Sequence, residues 1–290
     1  MGCCVTTYNT PTTEAARLIR STFPDLTDIR AEITIRGAYG YPFRCKDGDD
    51  DVFVKVTRVR NYTRRALHEL SLRKPTQCLV PLKYRISGDN AVVVYPWIDG
   101  GDLLKHVNQF ITKARRERLI KSLLCAVYEV HRHGLAHRDI KLENILVRRD
   151  TCILIDTDTC ESAVEMYYTG TANYIPPTTL VQRVLRHPGI ARSEKMFWLD
   201  CYALGKVLAK ILLVGSVHPD ERRIWDMWVD RERASPSAVR VLLTQRRSTP
   251  WWKYVYWWCV ENEQQLLEDH PYIKGLDEVM SELGYDIRDT

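Results

Sequence analysis

Residues 137 to 158 hold the densest run of groups able to do chemistry. His137-Arg138-Asp139-Ile140-Lys141-Leu142-Glu143-Asn144 puts an ammonium two residues after a carboxylate and an amide five residues after it. Ile153-Leu154-Ile155 then leads into a second carboxylate, Asp156. Those types suit the movement of a phosphoryl group onto a hydroxyl. Such a transfer passes through a loose transition state with charge spread over the phosphoryl oxygens, so a protein contributes mainly position and charge. In that chemistry Asp139 would take the hydroxyl's proton and Lys141 would lie against the transferring group. Asn144 and Asp156 would hold a divalent cation such as Mg2+ through hard oxygen ligands. A loop of solvated charges is the plainer alternative, and the number of residues in register argues against it.

These groups need elements to bring them together. Ile153-Leu154-Ile155 reads as a short buried strand that delivers Asp156 beside the loop. Upstream, Ala15, Leu18, Ile19 and Phe23 recur at helical spacing over 12–23, and Pro24 stops the run. From 29 to about 98 the pattern is strand-like. It runs as ITIRG at 33–37, VFVKVTRV after a KDGDDD turn, and LVPLKYRI and AVVVYPWI on either side of Ser87-Gly88-Asp89-Asn90. Within that half, 61–74 places Ala66, Leu67 and Leu70 on one helical face. Beyond Gly101 the chain reads mostly as helix, most strongly at 113–132 and 198–214. The expectation is an α+β protein with a small β-rich half carrying one main helix and a larger helical half. Gly100-Gly101 is the pivot, and a cleft is expected where the halves join. The expected division is a segment at 1–24, a first lobe at 25–98 and a second at 99–290.

Composition bounds the rest. At 290 residues the chain can bury a sizeable core, because single cores stop growing near about 250–300 residues. With 45% apolar and 27% charged residues, collagen-like and disordered chains are excluded. Forty-two Lys and Arg against 37 Asp and Glu leave a formal charge of +5 with no long single-sign block, so no nucleic-acid partner is expected. No run approaches the roughly 18 apolar residues of a spanning helix, and no basic-then-apolar leader opens the chain. Nine cysteines without a C-x-x-C pair fit reduced thiols. The expected location is intracellular and cytoplasmic. Met1-Gly2-Cys3-Cys4-Val5-Thr6 fits M-G-x-x-x-[ST], with Gly2 as a myristoylation site and Cys3 or Cys4 as palmitoylation sites. One myristoyl chain binds membrane marginally, with K about 10⁴ M⁻¹, so a second chain would make the anchor durable. Two readings stay open there: a doubly acylated peripheral membrane anchor, and a chance run of small residues.

In their order along the chain these residues resemble the eukaryotic-type protein kinases, Ser/Thr branch, over nearly the whole length. His137 to Asn144 has the H-R-D-h-K-x-x-N form of that family's catalytic loop. Ile35-Arg36-Gly37-Ala38-Tyr39-Gly40-Tyr41 is similar to the second half of its glycine-rich loop, which implies that Gly37, Ala38, Tyr39 and Gly40 close over nucleotide phosphates. Val52-Phe53-Val54-Lys55 looks like V-A-I-K, which implies Lys55 on the α- and β-phosphates of ATP, and Glu69 falls where a helix carboxylate orients that lysine. The run Val92 to Leu103 resembles the family's hinge, with Tyr95 at the back of an adenine pocket and Pro96, Trp97 and Ile98 lining it. Gly170-Thr171-Ala172-Asn173-Tyr174-Ile175-Pro176-Pro177 is similar to G-T-x-x-Y-x-A-P, which seats the substrate residue. Asp200-Cys201-Tyr202-Ala203-Leu204-Gly205 looks like D-x-W-x-L-G, whose aspartate supports the catalytic loop. Leu266 to Ile273 is similar to L-L-x-x-H-P-a-h near the family's end. The resemblance implies a bilobal fold, ATP with Mg2+ or Mn2+ and a protein substrate; a monomer is the expected state, which the sequence does not decide. Lys141 with Gly170-Thr171 implies Ser or Thr as acceptor.

The chain departs from the pattern in several places. Asp156 is followed by Thr157 and Asp158 where D-F-G is usual. An added carboxylate near phosphates repels unless a cation screens it, which predicts an unusual divalent-metal dependence. It also asks Asp158 to take the positive φ of the missing glycine, which Asp tolerates better than most residues. Ile35 replaces the first glycine of the phosphate loop, Pro42 stands where a β-branched residue usually covers adenine, and Pro176-Pro177-Thr178 lacks the glutamate of A-P-E. Arg138 would pair with a phosphate on the segment 157–169, for which Thr157, Thr159, Ser162, Tyr167, Tyr168 and Thr169 are candidates. The aromatics of Trp251 to Trp258 fit a helical core better than a docking surface. Two rival readings remain. One is a pseudokinase scaffold. The other is a small-molecule phosphotransferase of the aminoglycoside or choline kinase type, against which the G-T-x-x-Y and D-x-x-x-L-G runs count. Departures of this kind would suit the fast-diverging genome of a large DNA virus.

Overall fold

Apolar alternation at Val52, Val54 and Val56 makes one face of a strand, and the fold of the N-terminal part grows from it. The computed structural model describes residues 11–32, 40–107, 112–162, 170–213, 228, 236–246, 248, 251–261 and 275–285. The chain divides into two units, Met1–Leu72 with Leu79–Ile98, and Arg73–Cys78 with Asp99–Thr290. In the first unit the elements run α1 (Pro11–Thr22), β1 (Leu26–Ala31), β2 (Tyr41–Asp47), β3 (Asp50–Arg58), α2 (Asn61–Arg73), β4 (Lys83–Ser87) and β5 (Asn90–Pro96). The five strands form one antiparallel sheet in the order β1-β2-β3-β5-β4.

Period two sends alternate side chains of β3 to opposite faces. Val52, Val54 and Val56 join Phe43, Cys45, Val92 and Val94 in a core that Ala15, Ile19 and Phe23 of the α1 region complete. The N-terminal helix is therefore part of this unit's core. Every residue of β5 from Ala91 to Tyr95 is buried, as expected of a strand covered on both faces. The strand expected at 33–37 lies outside the described residues.

The second unit continues with β6 (Gly101–Asp102), α3 (Leu103–Val107), α4 (Lys113–Arg132), β7 (Leu135–Ala136), β8 (Ile145–Arg148), β9 (Thr151–Leu154) and β10 (Glu161–Ser162). It ends with α5 (Thr178–Arg186), α6 (Arg192–Leu213), α7 (Pro236–Arg246), α8 (Trp252–Tyr256), a π-turn at Trp257–Glu261 and α9 (Leu276–Glu282). The hydroxyl of Thr112 caps α4 by accepting the N–H of Arg115 at 3.3 Å. Leu119, Ile120, Leu123, Leu124, Val127 and Val130 make the buried stripe of α4. Helix α6 is buried nearly all round, the mark of a central core helix. Gly205 is what lets the π-turn approach it, since a Cβ there would meet Cys259 Sγ at 2.7 Å.

The aromatic run packs partly inward, with Trp251, Tyr256 and Trp257 half-buried. Trp252, Tyr254 and Trp258 are buried, with the Tyr254 ring 6.0 Å from that of Trp258 and 5.3 Å from that of Trp257. All seven described cysteines are free thiols. Among the described residues no helix is long and apolar enough to cross a membrane.

Candidate active site

The second unit gathers its reactive groups by a hairpin and a loop. Strands β8 and β9 pair from Ile145↔Leu154 to Arg148↔Thr151. The N–H of Ile155 then donates to the carbonyl of Asn144 at 2.9 Å, which holds the start of the Asp156 turn against the end of the loop. Asp139 is only 7% exposed. Its Oδ2 accepts from Lys141 Nζ at 2.8 Å and from Asn144 Nδ2 at 2.9 Å, and its Oδ1 accepts from Thr171 Oγ1 at 2.7 Å. Lys141 Nζ also donates to Thr171 Oγ1 at 2.8 Å, and Asn144 Nδ2 to the Asp139 carbonyl at 2.9 Å. One carboxylate is thus fixed by a cation, an amide and a hydroxyl. Asp139 and Thr171 border a small pocket, partly open to solvent, whose wall includes Ile140, Tyr174, Ile175 and Met196.

A buried carboxylate on α6 fixes the loop's main chain. Asp200 Oδ2 accepts the N–H of His137 at 2.7 Å and Oδ1 that of Arg138 at 2.8 Å, while His131 Nε2 lies 3.0 Å from Oδ2. Burial pushes the Asp200 carboxyl up. The hydrogen bond from His131, the His131 and His137 charges and the Arg138 N–H outweigh burial and leave its pKa below the usual carboxylate value. With these bonds in place, Arg138 adopts φ 68°, in the left-handed region. The His137 ring lies with Nε2 3.0 Å from the carbonyl of Ile155, a second tie to the segment that carries Asp156. Sequence reasoning missed His131. Its signal was a polar residue in the apolar stripe at the end of α4.

The turn after β9 departs from the expectation. The left-handed residue is Asp156, at φ 58° and ψ 49°, and Asp158 lies inside a 3-10 turn at Thr157–Thr159 without positive φ. The glycine-like conformation is therefore not required of Asp158, which is buried at 5% exposure. Of the candidate phosphosites, Thr157 is buried and Thr159 Oγ1 donates to the His137 carbonyl at 2.9 Å. Tyr167, Tyr168 and Thr169 lie outside the described residues.

Within the first unit, Lys55 stands on β3 between Pro42 and Val93 in register, on the face opposite α1. Phe53 and Tyr95 share that face with ring centroids 6.2 Å apart, and Tyr95 is buried. Gly40 is needed where it stands, since a Cβ would meet Lys55 Cε and the Val56 carbonyl at 2.9 Å each. Glu69 is half-buried on α2, and Arg44 places its guanidinium 4.3 Å above the Trp97 ring. Ile98 closes the unit, half-buried. Gly37, Ala38 and Tyr39 lie outside the described residues, as do Gly2, Cys3 and Cys4.

Comparison with known proteins defines the class. The protein kinase domain family model matches residues 36–274. A probable cell division protein kinase of Encephalitozoon cuniculi is 25% identical over 227 residues, covering 74% of this chain and 82% of that protein. Protein kinase C epsilon type of Oryctolagus cuniculus is 24% identical over 215 residues, 67% of this chain but 27% of that longer protein. Among solved structures, the Cydia pomonella granulovirus kinase PK-1 matches 95% of this chain and 100% of its own with a TM-score of 0.60 and 16% identity, a likeness of fold. The chain belongs to the protein kinase domain family.

Proposed function

We propose that the protein is an ATP- and Mg2+-dependent kinase that transfers the γ-phosphoryl group to Ser or Thr hydroxyls of protein substrates. The observation that carries this reading is the fixed Asp139 carboxylate, bonded at once by Lys141, Asn144 and Thr171. Asp139 takes the acceptor's proton, Thr171 and Asn144 hold its carboxylate in one orientation, and Lys141 brings positive charge to the transferring group.

The donor set suits a divalent cation of the Mg2+ type. Asn144 commits its Nδ2 to Asp139, so its oxygen is the atom left for a ligand, and Asp156 adds a carboxylate nearby. An amide oxygen, with the carboxylate of the residue that follows Ile155, would suit an ion that completes its shell with phosphate and water. Bound there, the cation would neutralise phosphate charge, with Mn2+ the alternative ion. In this reading Lys55 binds the α- and β-phosphates with Glu69 as its partner, and Gly37 to Gly40 belong to the phosphate loop. Tyr95, Trp97 and Ile98 line the adenine pocket. The protein acts as a cytoplasmic monomer, and acylation at Gly2 with Cys3 or Cys4 would bring it to membranes. An intact mass without a lipid increment after expression in a eukaryotic host would contradict that last point.

The acceptor assignment is tested by incubating the protein with labelled ATP, Mg2+ and a generic basic protein, then hydrolysing the product. Phosphoserine and phosphothreonine are expected. Phosphotyrosine alone, or label only on small molecules, would overturn it. Retained fold with no transfer would support the scaffold reading, for which the buried Asp158 in place of glycine is the motivating feature.

A further inference from the structure

Lys206 lies on the most buried helix of the second unit, between Gly205 and Val207, and is 1% exposed. An ammonium leaves water only where other groups replace its hydration. Here two main-chain carbonyls do so, Asn173 at 2.6 Å and Trp228 at 3.3 Å, and the rings of Tyr202 and Trp228 stand 5.7 Å and 5.3 Å away. Asn173 is the middle residue of the turn Ala172–Tyr174. That turn directly follows Thr171, whose hydroxyl bonds Asp139, and leads into Tyr174 and Ile175 on the pocket wall. The chain has Pro177-Thr178 where the A-P-E glutamate of the family would tie down the same segment.

We propose that Lys206 is a positioning residue for the substrate-binding loop. Its buried charge holds the Asn173 carbonyl from below, which keeps Thr171 on Asp139 and sets Tyr174 and Ile175 against the incoming protein acceptor. A charge-assisted bond at the centre of the turn does from α6 what a glutamate–arginine pair would do from the segment's end. Lys206 touches no reacting atom, and the proposal rests on the protein-kinase reading.

Two measurements on Lys206→Met and Lys206→Arg test it. Lys206→Met should raise KM for the protein acceptor about tenfold, lower kcat in the direction of Thr171→Ala and leave KM for ATP within about twofold, with Lys206→Arg recovering most of the loss. Amide exchange at Tyr174 and Ile175 should quicken about tenfold in Lys206→Met while the α4 amides keep their wild-type rates. Should Lys206→Met not fold, Lys206→Gln keeps an N–H donor without the charge and is judged by the same two readouts. Equal rises in both KM values, or unchanged exchange at Tyr174 and Ile175, would overturn the proposal. A wild-type protein that transfers no phosphate would overturn the kinase reading instead, and the exchange comparison alone would then decide whether Lys206 holds the loop.

Discussion

Asp139 has three side-chain partners, and each should leave a different mark when removed. Thr171→Ala deletes the bond to Oδ1 and one of the two bonds of Lys141. It should lower kcat about tenfold to a hundredfold with little change in KM for ATP, and Thr171→Ser should restore most of it. Steady-state kinetics on the pair checks this. Asp200 acts one step back, through the main chain. Its pKa is depressed in the folded protein, so it binds fewer protons there than in the unfolded chain. The stability it contributes is complete above the ordinary carboxylate pKa of about 3.9 and fades as pH falls through the lower folded value. Asp200→Asn leaves buried N–H groups poorly matched and should cost about 2–4 kcal/mol at neutral pH, with a smaller difference from wild type under acid. Urea titrations at several pH values measure it. At Asp158 the expected consequence is in the metal response: Asp158→Gly should shift the Mg2+ and Mn2+ activation curves, and superimposable curves would contradict the repulsion argument.

At the scale of elements, the closest fit is between α6 and the π-turn. Gly205→Ala drives a Cβ onto Cys259 Sγ and should destabilise by about 1–3 kcal/mol. Cys259→Ala in the same chain should return part of that loss, a coupling of about 1 kcal/mol in a double-mutant cycle read by chemical denaturation. The sequence made such elements legible unevenly. Helices α4 and α6 stand out because long apolar periodicity is a local signal. Strand β2 was not read, since Phe43 and Cys45 are its only buried positions and Pro42 with the following charges masks a two-residue period. Helix α1 was readable from Ala15, Leu18 and Ile19, but not its place in the core of the sheet, which depends on strand residues as far along as Val94.

Taken as a whole molecule, the part of the site that could be read was the part that is contiguous. Asp139, Lys141 and Asn144 lie within six residues, so their spacing alone carries their chemistry. The Thr171 bond to Asp139, the His131 contact with Asp200 and the Lys206 bond to Asn173 join residues 32, 69 and 33 positions apart, and only folding brings them together. The left-handed turn was assigned to Asp158 by analogy with a glycine and belongs to Asp156, because backbone conformation follows the ties on either side of a residue more than its type. The proposed activity is phosphate transfer with Asp139 as its base. The most direct measurement is the rate of γ-phosphoryl transfer by wild type and Asp139→Asn, with ATP binding followed by calorimetry on both. Wild type is expected to transfer, Asp139→Asn to lose about 10²–10⁴ in rate, and the two to bind nucleotide equally. Equal rates in the two proteins would contradict it.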